Sequence, residues 1–103
     1  LSANLRDKAT HEGYTAIHCA ARADDSAMVS VLFAGMANVD AQSTEGEVPL
    51  QTAARWGSRG ALSSLLKALA DVNVLDSGQH SILMLAVQRR QEGIVEELLE
   101  PPG

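Results

Sequence analysis

Aromatic side chains are nearly missing from this chain: Tyr14, Phe33 and Trp56 are the only three in 103 residues. The core must therefore be aliphatic, built from Ala, Leu, Val, Ile and Met. Such a core suits closely packed helices better than a β-sandwich, whose strands favour β-branched and aromatic residues. Cysteine is down to one, Cys19, which excludes an internal disulfide and points to a reducing compartment. Long apolar runs are lacking as well; Ile82 to Val87 is far too short to span a bilayer, so no membrane insertion is expected. No charged-then-apolar start with a cleavage site signals secretion, and an intracellular setting, cytoplasmic or nuclear, is expected. Positive charge is scarce. Eight Lys and Arg against thirteen Asp and Glu leave a net charge of −5, which disfavours nucleic acid and anionic membrane surfaces. Neither a glycine-rich phosphate loop nor a paired-carboxylate motif appears, so no enzyme activity and no cofactor are expected. The chain starts at Leu1 rather than Met, and is expected to be cut from something longer.

What is present is ordinary globular material, 46% apolar and 20% charged, at a length that fits one domain. Its organisation lies in a repeat. "YTAIHCAAR" (14–22), "EVPLQTAAR" (47–55) and "HSILMLAVQ" (80–88) superpose at an offset of 33 residues each time. Ala20, Ala53 and Ala86 coincide, as do Ile17, Leu50 and Leu83. Further on, Val29, Leu62 and Val95 coincide, then Leu32, Leu65 and Leu98, then Phe33, Leu66 and Leu99. Matches in three registers without a gap identify a repeat architecture.

Each unit reads as turn, short helix, turn, longer helix. Ile17, Ala20 and Ala21 share one helical stripe, with Thr15 and Ser81 placed to cap and Pro49 suited to a first helical position. A polar break such as "ADDS" (23–26) follows. A second helix is expected over about 27–35, with Gly35 suited to a left-handed C-terminus. "NVDAQSTEGE" (38–47) reads as an extended segment, a turn at Gly46 and a return. No unit buries its apolar stripes alone, and the small pairs Ala20-Ala21 and Ala53-Ala54 let a neighbouring helix come close; stacking makes the core.

These residues resemble the ankyrin repeat, whose signature runs roughly G-x-T-P-L-H-x-A-A and then L-L-x-x-G-A-D-V-N. Unit one carries it as "GYTAIHCAA" (13–21) and "VLFAGMANVD" (31–40). Unit two has "GEVPLQTAA" (46–54) and "LLKALADVN" (65–73), and unit three has "QHSILMLAV" (79–87) and "ELLEPPG" (97–103). The resemblance implies an all-α solenoid: residues 1–9 as the tail of a truncated repeat, then repeats at 10–42, 43–75 and 76–103, the last incomplete. Val48 replaces the capping Thr, and Gln51 and Met84 replace the His. Met36, Leu69 and Pro102 stand where the family usually has Gly, and a non-glycine residue forced into the left-handed region costs about 1 kcal/mol.

"TAIHC" (15–19) raises the question of a reactive site. The resemblance implies that Thr15 and His18 hydrogen-bond to each other and to loop backbone, and that Cys19 faces the adjoining repeat as an apolar filler. His18 and Cys19 are adjacent, so their side chains point about 100° apart around the helix, and architecture is favoured over chemistry. A metal site from His11, Glu12 and His80 is a weak signal beside solvated hairpin residues.

The resemblance further implies a protein or peptide partner, met through the hairpin tips and inner helices; the oligomeric state is open, with a monomer expected. Carried over by position, the candidate contacts are Tyr14, Arg22, Glu45, Glu47, Arg55, Trp56, His80 and Arg89. Trp56 is either a binding anchor or a ring folded over its neighbours to stabilise the stack. Arg22, Arg55 and Arg89, one per repeat, either grip partner carboxylates or pair with nearby Glu12, Glu45 and Glu47. The backs of the second helices are bland at Ala27, Ser30, Gly60, Ser63 and Gly93. Asn73 matches a hairpin asparagine that some ankyrin proteins present to an asparaginyl hydroxylase, although a turn hydrogen bond is the more ordinary role. The rival to a binding role is that of spacer repeats in a longer array.

Overall fold

The apolar stripes become six helices: α1 Ala16–Arg22, α2 Ser26–Ala34, α3 Pro49–Trp56, α4 Arg59–Lys67, α5 Ile82–Gln88 and α6 Glu92–Leu99. They come from a computed structural model that describes residues 15–99, and no strand occurs among the described residues. Helices α1, α3 and α5 lie side by side as one layer, α2, α4 and α6 form a second, and each first helix packs on its own partner. The result is an all-α stack of helix–turn–helix units. Ile17, Val29, Leu50, Leu62, Leu65, Ile82 and Ile94 are fully buried between the layers. Each such side chain stabilises the fold by about 1.5–3 kcal/mol relative to exposure. The small residues Ala20, Ala21, Ala53, Ala54 and Ala86 are buried beside them, which lets the inner helices approach.

The 33-residue period is written into the backbone as well. Left-handed conformations fall at Asp24, Gly57 and Arg90, at Met36 and Leu69, and at Gly46 and Gln79. Each set is spaced by one repeat, and five of the seven residues are not glycine. Met36 and Leu69 sit where the sequence comparison expects them; Pro102 lies outside the described residues. The second helix of unit one differs by a residue from expectation. It ends at Ala34, Gly35 keeps φ −83°, and Met36 takes the left-handed turn at φ 72°. Methionine rather than glycine thus bears the conformational penalty in unit one.

Burial also reveals which flank of each inner helix meets which neighbour. Cys19 is exposed, whereas Thr52 and Leu85 at the same position in the later units are buried. The expectation that Cys19 fills an interface is thus not met among the described residues. At the other end the pattern inverts: Ile17, Leu50, Ala21 and Ala54 are buried, while their counterparts Leu83 and Val87 are exposed. One flank faces backward and one forward, so the two ends of the stack present different apolar faces.

Candidate functional site

The tip of each hairpin is shaped by one side chain that closes the turn. Ser43 accepts from the Glu47 backbone N–H through Oγ at 3.1 Å, and its own N–H donates to the Glu47 carbonyl at 2.8 Å. Asp76 does the same work in unit three: Oδ1 accepts from the N–H groups of Gly78 and His80, and the Asp76 N–H donates to the His80 carbonyl. These bonds from the His80 backbone, aided by the imidazole 3.1 Å away, hold the Asp76 carboxyl below the usual carboxylate range.

The second tip is tied down by unit one. The Thr15 N–H donates to His18 Nδ1 at 3.1 Å, so that nitrogen is bare and Nε2 carries the proton. Nε2 then donates to the Glu47 carbonyl at 2.7 Å, across the gap between repeats. Burial lowers the pKa of His18 to about 4, which keeps the neutral tautomer that this bridge needs. Thr15 and His18 are therefore structural partners, and the hydroxyl of Thr15 lies 3.0 Å from the same ring nitrogen.

Unit two imitates only half of this arrangement. Gln51 Oε1 accepts from the Val48 N–H at 2.8 Å, as His18 Nδ1 does from Thr15. Gln51 is buried, and its Nε2 has no partner. The equivalent carbonyl, that of His80, accepts only the Asp76 N–H among the backbone bonds of the described residues. The third tip thus lacks the bridge that anchors the second.

Four of the candidate contacts surround one cavity of about 150 Å³. Glu45, Glu47, Arg55 and Arg89 line it together with Gln51, Asp76, Ser77 and Leu85. Glu47 is buried rather than presented: its carboxylate is held by the Arg55 guanidinium and the Thr52 hydroxyl. Intramolecular pairing is therefore what Arg55 does. Arg22 behaves differently, lying over the Trp56 ring at 4.6 Å from its centroid. Trp56 remains 51% exposed, so the ring is both stacked on one face and open to solvent. His80 is half-buried beside Asp76 and Arg89 is exposed. Tyr14, with His11 and Glu12, lies outside the described residues.

Two features escape a reading of the sequence. Gln91 Nε2 donates to the Arg55 carbonyl at 3.1 Å, closing the end of α3 from the next unit. Gly57, at φ 71°, makes the room: a Cβ there would stand 2.3 Å from Gln91 Oε1. Asp24 likewise reaches into the next unit and accepts from the Ala61 N–H at 2.9 Å. Their only signal in the sequence is that positions 24, 57 and 91 lie in polar breaks.

Residues 1–76 and again 17–103 match the family described as ankyrin repeats, in three copies. The chain belongs to the ankyrin repeat family. It is also 33% identical over 100 residues to neurogenic locus notch homolog protein 1 of Danio rerio, across 94% of this chain. That alignment takes in 4% of the relative's length, so the chain spans a small piece of the curated relative it matches. Ankyrin repeats are, as a family, protein–protein interaction modules rather than catalysts. No helix among the described residues is long and apolar enough to cross a membrane.

Proposed function

We propose that this ankyrin stack recognises a protein or peptide segment through the groove between its hairpin tips and inner helices, with Trp56 and Arg89 carrying the affinity and Arg55 held back by its pairing with Glu47. The supporting observation is Trp56, a large ring at the end of α3 held flat by Arg22 yet half open to solvent. Trp and Arg are the side chains most enriched where binding energy concentrates. A partner of protein rather than nucleic acid suits a chain of net charge −5, and a lone thiol suits a reducing, intracellular setting. Replacing Trp56 by Ala is expected to weaken partner binding by about 2 kcal/mol with little change in melting temperature. Persistence of binding together with a fall in melting would reassign Trp56 to stacking.

A second reading, spacer repeats within a longer array, draws on the exposed end of the stack. Leu83, Val87 and Leu99 are exposed, and Val87 lines an open depression of about 480 Å³ together with Val95. An array continuing over that face would cover them. Equal tolerance of alanine at every groove position, with binding retained by the parent protein, favours the spacer.

A further inference from the structure

Half of the eight basic residues of this acidic chain gather at the ends of the inner helices: Arg22, Arg55, Arg89 and Arg90. Arg55 is neutralised by Glu47. The others are not paired with any carboxylate among the described residues, and all three are exposed. The acids nearest Arg22 in sequence are engaged with backbone instead. Asp24 Oδ1 accepts from the Ala61 N–H and Asp25 Oδ1 from the Met28 N–H. Arg22 is also pre-oriented. Its guanidinium lies against Trp56, and a stacked guanidinium keeps its N–H donors around its rim, where a carboxylate takes them two at a time.

We infer that the Arg22–Trp56 platform, with Arg89, selects an acidic protein segment: Arg22 takes a carboxylate in bidentate fashion while an adjacent apolar side chain covers the exposed half of the indole. This rests on the reading of the groove as the recognition surface and adds to it the charge of the partner. Charge complementarity argues for that occupant. A basic segment is drawn to the rest of this acidic surface but meets repulsion at this strip, whereas an acidic one is admitted here alone.

Trp56 is the only tryptophan, so its fluorescence reports on this site without a label. The full chain is titrated with a Glu/Leu nonapeptide, a Lys/Leu peptide and a Gln/Leu peptide of equal length, and with a single-stranded oligonucleotide. The expected result is a saturable change with the Glu peptide only, weakening as salt is raised because part of the attraction is screened. Arg22→Ala and Arg89→Ala should each weaken it about tenfold. Arg22→Lys, which keeps the charge and loses the planar stack, should weaken it by an intermediate factor. Arg59→Ala should leave it unchanged, since Arg59 faces Glu96 and Glu97 on the outer helices. Circular dichroism verifies that each variant is folded. Equal binding of the Lys or Gln peptide would overturn the acidic preference while leaving the groove as the recognition surface. Equally tight binding of the oligonucleotide would reduce the strip to unselective anion capture and overturn the proposal. Absence of any saturable response to the Glu peptide, or an unchanged affinity in folded Arg22→Ala, overturns it too.

Discussion

Replacing Gln51 by histidine should stabilise this protein, and replacing His18 by glutamine should destabilise it by a similar amount. The two positions are equivalent in adjacent repeats, and both side chains accept the backbone N–H three residues upstream. Only His18 has a second ring nitrogen placed to reach the next hairpin, where it meets the Glu47 carbonyl at 2.7 Å. Gln51 Nε2 stays buried without a partner, while the His80 carbonyl has a lone pair left after accepting from Asp76. A buried unpaired donor costs about 1–3 kcal/mol, and a hydrogen bond restored in its place contributes about 1 kcal/mol net. Val48 offers no hydroxyl to orient the new ring, so the lower part of that range applies: a gain of about 1–2 kcal/mol. In urea this appears as a midpoint raised by roughly 0.5–1 M at unchanged slope. Because the gain comes from an interface between repeats, it should also protect the amides of the third hairpin from hydrogen exchange. A Gln51→His midpoint at or below that of the parent, while His18→Gln loses stability as expected, would refute the equivalence of the two junctions. A loss in neither variant would refute the bridge itself.

Acid should weaken the stack over a defined window. The pKa of His18 is lowered from 6.5 to about 4, so the unfolded chain binds the proton first as pH falls. The stability from this group is complete above pH 6.5, is lost as pH drops from 6.5 towards 4, and changes no further below that. The total is about 3 kcal/mol, read as chemical denaturation against pH, and His18→Gln should flatten the slope in that range. Leu69→Gly and Met36→Gly should each raise stability by about 0.5–1 kcal/mol, since both residues have positive φ and are 85% and 77% exposed. Relief of left-handed strain there exceeds the added chain entropy; Leu69→Ala keeps the Cβ and should not stabilise, which a thermal melt distinguishes. Gly57→Ala should destabilise by about 2–3 kcal/mol, because positive φ and the approach of Gln91 both exclude a Cβ. Gly46→Ala, at positive φ with nothing within 4 Å, should lose only about 1 kcal/mol.

The anchoring of the second hairpin and the looser hold on the third bear on recognition. Both tips border the same cavity, yet only one is bridged to the preceding unit. Tip three can thus shift against tip two at lower cost than tip two can shift against unit one, and Gln51→His tests whether that freedom matters for a partner.

Sequence by itself determined the stack. The 33-residue period places Ile17 with Leu50 and Ala20 with Ala53, and a period of apolar residues that no unit can bury alone leaves layered helices as the outcome. It also marked two of the strained turns, because Met36 and Leu69 occupy a position that glycine would fill more easily, whereas the left-handed Asp24, Gln79 and Arg90 came to light only in the structure. Ion-pair partners were decided elsewhere. Arg22, Arg55 and Arg89 look alike along the chain, and all three look ready to pair with glutamates. Only the tertiary structure sends Arg55 to a buried Glu47 and Arg22 onto the face of Trp56, 34 residues away. Burial at the ends was decided there too, since Cys19 and Leu83 match buried counterparts and are exposed only because of which flank each turns outward. The physical reason is one of range. Helix periodicity and turn geometry act over a few residues and are written locally, whereas a long side chain chooses among partners within several ångströms, and only the packed repeats fix which those are.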